Sequence, residues 1–140
     1  MTITPDALND ILDTHPRLTD YGLGTYWRPN TTAQERKAEL DQGRESLRKA
    51  LPDIVAAHDW LVANIAKTKT PPHNGLGSYT VKHIAERALG RYISNGQLIA
   101  AALLAGYPMR QHHDSPNPTF AMSQRALKTA ADAGARRHLG

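Results

Sequence analysis

A chain of 140 residues with no cysteine and a net charge of +4 is long enough to bury roughly 68–70% of its unfolded surface in one core. It has no disulfide framework, thiolate metal site or cysteine nucleophile. Its longest apolar run, the eight residues Leu98–Ala105, is far short of the roughly 20 that span a bilayer. The opening MTITPDALND lacks the basic and apolar regions of a signal peptide, so a cytoplasmic protein with no membrane contact is expected.

The charge is unevenly spread. Residues 1–66 carry seven Lys/Arg against ten Asp/Glu, a net of −3. Residues 67–140 carry ten against three, a net of +7, and four of the seven histidines, His83, His112, His113 and His138, lie beyond the 67–77 loop. A basic half of this kind attracts polyanions, and nucleic acid is the expected partner.

Thr4 and Pro5 give a cap and a proline at the first helical position, so a short helix with the stripe Leu8, Ile11 and Leu12 is expected to end near Thr14, before Pro16. Residues 15–31 read as irregular. Their aromatics Tyr21, Tyr26 and Trp27 are expected to pin the loop to the core. A stacking platform for bases is the alternative, but Arg17 and Arg28 are too few to make a groove on their own. Thr32 with Glu35 forms a capping box. The following helix has an apolar seam, Leu40, Leu47 and Leu51, and alternating surface charges that read as a solvated face. Pro52 kinks this helix or starts the next one. His58 lies on the apolar face of that next stretch and reads as a core histidine.

KTKTPPHNGLG, residues 67–77, is the clearest linker. It divides the chain into an N-terminal helical part (1–66) and a central and C-terminal unit (78–140). Ser78 is expected to cap a helix with Val81, Ile84, Ala85, Ala88 and Leu89 on one face, stopped by Gly90. Ser94 and Gln97 make a capping box, and Ile93 with Leu98 a hydrophobic staple, for a second helix that ends at Gly106. Residues 95–105 are apolar all round. They read as a buried helix, or as the interface of a homo-oligomer or partner. Tyr107–His113 and Thr119–Ser123 flank DSPNP as two short strands of a β-hairpin. Ser123 caps a last helix whose tail, GARRHLG, is expected to fray.

The fold class is therefore mainly α, with one C-terminal hairpin. The stretch IAERALGRYISNGQLIAAALLAGY resembles the helix-turn-helix pattern at Ala85, Gly90, Ile93, Leu98 and Ile99, and the hairpin would be its wing. That resemblance implies a winged helix-turn-helix domain that binds DNA. Base reading by the second helix needs projecting polar side chains, and only Asn95 and Gln97 are present. Contact is thus expected mostly with phosphates. Residues 77–123, with SYxxKHxxExxxGxYxSNGxxIxAA, GYP and SPNPTF, also resemble small proteins of phages, plasmids and other mobile elements.

Asn74–Ser78 leads into a helix N-terminus, where free amides, hydroxyls and a lysine suit an anion. The expected nucleic-acid-binding set is Ser78, Thr80, Lys82, Arg87, Arg91, Arg110, His112, Arg125 and Lys128. His83 with Glu86, and His112-His113-Asp114, are the only candidate metal ligands, and a metal-dependent enzyme built on them is the least favoured reading. Surface histidines beside a basic patch are expected instead. No catalytic or nucleotide-binding signature is present, so neither cofactor nor catalytic residue is expected. The expected function is a non-enzymatic nucleic-acid-binding accessory or regulatory protein. The alternative is a protein-interaction module that inhibits a host nucleic-acid-binding or defence complex.

Overall fold

The Thr4 hydroxyl accepts the Ala7 N–H at 3.1 Å, and helix α1 runs Pro5–Thr14, as the cap and the two prolines dictate. The computed structural model describes the backbone of residues 3–139 and the side chains of residues 3–136. It is mainly helical, with two small two-stranded hairpins. The first hairpin is an addition to the expected elements. Strand β1 (Leu18–Thr19) pairs antiparallel with β2 (Gly22–Leu23) inside the segment that reads as irregular.

Helix α2 spans Ala33–Lys49 behind the Thr32 cap. The Thr32 hydroxyl accepts the Glu35 N–H at 3.0 Å, but Glu35 turns its carboxylate to the same hydroxyl, 3.1 Å away. The solvated-face reading of α2 needs correction at Arg44. Its guanidinium donates to the carbonyls of Leu12 (2.6 Å), His15 (3.0 Å) and Leu18 (3.1 Å), closing the open end of α1. Pro52 starts a separate helix, α3 (Leu51–Asn64). His58 is buried there, its Nδ1 2.9 Å from an Asp59 carboxylate oxygen.

Helices α4 (Ser78–Leu89) and α5 (Asn95–Leu104) follow. Gly90 stops α4 in the left-handed region at φ 67°, and both halves of the Ser94–Gln97 capping box form. Residues 95–102 of α5 are all buried. This helix is the centre of the molecule, packed by α1, α3, α4 and both strands of the first hairpin. Gly96 makes the closest of these approaches possible. A methyl group there would stand 1.8 Å from the Thr19 carbonyl oxygen, and its N–H donates to the Asp20 carbonyl at 3.0 Å.

The segment 67–77 does not separate two cores. Leu8, Leu12, Leu47, Ile54 and Leu61 share one apolar cluster with Val81, Ile99, Phe120 and Leu127. The segment itself is tied down, with Thr68 donating to the Ala121 carbonyl at 2.9 Å and Leu76 to Gln124 Oε1 at 3.0 Å.

The C-terminal hairpin is shorter than expected. Strand β3 (Met109–Arg110) pairs with β4 (Thr119–Phe120), two residues each. Pro108, Pro116 and Pro118 have no N–H to lengthen the ladder. Helix α6 runs Gln124–Leu139, with the Ser123 hydroxyl accepting the Ala126 N–H at 3.1 Å. The helix thus continues through most of the tail expected to fray. Gly140 and the side chain of His138 lie outside the described residues. No described helix is long and apolar enough to cross a membrane.

Candidate nucleic-acid interface

The nine residues expected to face a polyanion divide by burial and pairing. Gly77, not Ser78, holds the N-cap of α4, and Ser78 is buried. Its N–H donates to the Pro118 carbonyl at 2.9 Å and its hydroxyl to Asn95 Oδ1 at 2.8 Å. The Thr80 N–H bonds the Gly77 carbonyl at 3.1 Å, while its side chain is exposed. The amides that make a helix N-terminus attractive to an anion are here largely taken by the protein's own acceptors.

Lys82 is buried as well. Its Nζ lies 2.7 Å from Glu86 Oε1 and sits 5.3 and 4.9 Å from the ring centres of Tyr79 and Tyr92. Arg91 pairs with Asp53, and Lys128 with Asp132 at 3.1 Å. Arg110 is half-buried, and His112 Nε2 lies 2.8 Å from the Thr119 hydroxyl. Arg87 and Arg125 are exposed and form no ion pair among the described residues. Arg87, Arg125 and Lys128 lie on the packed pair α4–α6, where Arg87 rests against Gly134. The set is thus divided between the interior and separate elements of the surface. His83 Nδ1 lies 3.4 Å from Glu86 Oε2, but no three His, Cys, Asp or Glu side chains converge on a metal-sized site among the described residues.

The aromatic loop departs from expectation in the opposite direction. Tyr21, Tyr26 and Trp27 do not pin the loop to the core: they are 44%, 65% and 78% exposed. Backbone bonds anchor it instead. The buried Thr19 hydroxyl donates to the Gly24 carbonyl at 2.6 Å, the Leu23 N–H to Pro116 at 3.1 Å, and the Asn95 amide to the Tyr21 carbonyl at 3.1 Å. With polar anchors holding the chain, the rings stay free.

Two of the exposed rings stand over a groove of about 530 Å³ between this loop and the start of α2. Tyr26 and Trp27 line it together with Arg17, Arg28, Arg36 and Lys37, and no acidic residue does. Arg36 is fixed by a 2.6 Å bond to the Thr31 carbonyl. Arg28 reaches the Glu39 carboxylate, and Lys37 lies 2.8 Å from Asp41. The Asp41 hydrogen bond and charge hold Lys37 above its ordinary pKa. A second groove of about 800 Å³ shares Arg17 and Trp27 and adds Tyr21, His112 and His113.

Arg17 and Arg28 alone are too few for a groove, but the loop does not stand apart from the helix after it. The missing cations, Arg36 and Lys37, come from the first turns of α2. Adjacent basic residues soon after Tyr-Trp-Arg were the available signal. Comparison with known proteins finds no matching family model, no similar curated protein and no solved structure of similar fold.

Proposed function

We propose that this chain is a non-enzymatic nucleic-acid-binding accessory protein that holds a single strand along the Trp27 groove. The observation that carries this reading is the composition of the groove: four cationic side chains around two exposed aromatic rings, with no acidic residue in the lining. Phosphates need the first and unstacked bases need the second. Arg28 and Lys37 are held by partly exposed ion pairs, which are worth about 0–1 kcal/mol and open readily to a polyanion. Arg87 and Arg125, exposed on α4 and α6, add phosphate contacts outside the groove. The α5 helix, buried along residues 95–102, leaves base reading to the loop aromatics. A regulatory role in the cytoplasm, in a protein of the mobile-element type, is the setting this reading implies.

The test is binding of labelled single-stranded and duplex oligonucleotides across a salt series. The single strand binds more tightly, and affinity falls as salt rises, with a log–log slope of about −0.7 per phosphate contact. Arg36→Glu with Lys37→Glu abolishes binding, and Arg87→Glu with Arg125→Glu weakens it less. Absence of binding at low salt removes the reading.

One observation favours the alternative of a protein-interaction module. Lys82, Arg91 and Lys128 are already neutralised by carboxylates of the chain itself, and exposed Tyr and Trp also anchor protein interfaces. A stoichiometric complex with a protein, together with no oligonucleotide binding, would support it.

A further inference from the structure

On the other side of Tyr26 lies a cleft of different chemistry. It has a volume of about 910 Å³, and four tyrosines line it: Tyr21, Tyr26, Tyr79 and Tyr92. Two of its charged groups are compensated within the chain, Lys82 by Glu86 and Glu39 by Arg28. Asp20 is not. One of its oxygens accepts the Ser94 hydroxyl at 2.7 Å, and no described lysine, arginine or histidine pairs with it. The cleft therefore offers aromatic faces and one uncompensated negative charge.

The protein's own side chains show what such faces attract. The Lys82 ammonium sits by the Tyr79 and Tyr92 rings at 5.3 and 4.9 Å. Tyr21 and Tyr26 meet edge to face at 5.9 Å on the same lining as Asp20. A second cation entering here meets no free positive charge, because Glu86 neutralises Lys82. A planar guanidinium suits the place best: it stacks flat on a ring and presents paired N–H donors to a carboxylate. The volume accommodates a whole arginine side chain with part of its backbone.

We propose that this cleft seats a guanidinium group, presented by an arginine of a protein partner. The cleft shares Tyr26 with the Trp27 groove, but the proposal rests on Asp20, Tyr79 and Tyr92, which do not line that groove, and it is tested separately.

The experiment is a titration of the full chain, carrying ¹³C-labelled tyrosine, with the peptide Gly-Gly-Arg-Gly-Gly, followed by NMR of the ring signals. Free argininamide, the lysine counterpart peptide and guanosine monophosphate serve as comparisons. Saturable shifts of the four cleft tyrosines by the arginine peptide are expected, with the lysine peptide about tenfold weaker. Asp20→Asn weakens the arginine peptide by about tenfold or more. Because Asp20 also holds Ser94, Tyr92→Leu on the exposed rim provides a second variant, and it too weakens binding. Preference for the peptide over argininamide marks a partner's arginine, and equal binding marks a free guanidinium compound, overturning the partner while keeping the chemistry. No shift at millimolar peptide overturns the proposal. So does an unchanged response in both folded variants, or occupancy of the cleft by the nucleotide instead.

Discussion

At the scale of single residues, Glu86 and Gly96 hold the central unit together in different ways. Glu86 Oε1 accepts from Lys82 at 2.7 Å and from the Ile93 N–H at 3.4 Å, joining α4 to the connection before α5. Burial opposes its ionisation, but the Lys82 hydrogen bond and charge, the Ile93 N–H and the nearby His83 outweigh this and leave its pKa below the ordinary 4.5. A carboxyl depressed in the folded state adds stability that is complete above its unfolded value and lost as pH falls through the folded one. Thermal melts of the wild type should therefore lose a contribution from Glu86 as pH drops below 4.5. Glu86→Gln should cost about 1–3 kcal/mol at neutral pH and show a flatter acid dependence. Gly96 acts through absence of bulk. Gly96→Ala forces the α5 backbone away from Thr19 and should cost about 2–3 kcal/mol in denaturant melts. A neutral result would mean that the hairpin backs away freely.

At the scale of elements, the helices were legible because their ends carry chemistry. Thr4-Pro5, Thr32, Gly90, Ser94 and Ser123 each mark a boundary found in the structure. The interior position of α5 was legible too, since a helix apolar on every side has no solvent face to present. The β1–β2 hairpin was not. Its strands are two residues long, too short for a period-two pattern, and their register depends on contacts with Pro116 and Asn95 far along the chain. Arg44 was hidden for a similar reason. On a helix rich in alternating charges it looks like any other solvated cation, and only the approach of α1 gives it three carbonyls. Arg44→Met should uncap α1 and cost about 2–3 kcal/mol, read as a lower denaturation midpoint. Arg48→Met, whose side chain reaches Asn9 Oδ1, should cost less. Equal effects would deny Arg44 its role.

At the scale of the whole molecule, the charge asymmetry pointed to residues 67–140, yet a groove lined by four cations lies in the acidic half. Net charge per segment counts residues irrespective of where they face. Folding buries Lys82 and pairs Arg91 and Lys128, while it gathers Arg17, Arg28, Arg36 and Lys37 around Trp27. No acidic residue lines the groove, although Glu39 and Asp41 pair with Arg28 and Lys37 from beside it. The loop aromatics were visible in the sequence, but their exposure was not, because it follows from polar backbone anchors at Thr19, Leu23 and Asn95.

Trp27 offers the most direct test, since it is itself the probe. In a Trp60→Phe background Trp27 is the one tryptophan left to emit. Addition of a single-stranded oligonucleotide at low salt should quench that emission through base stacking. Added salt should restore it, and Arg36→Glu with Lys37→Glu should prevent the quenching. Emission from Trp27 that stays unchanged at low salt, or that is quenched equally in the charge-reversed variant, would contradict a nucleic-acid-binding groove at this site.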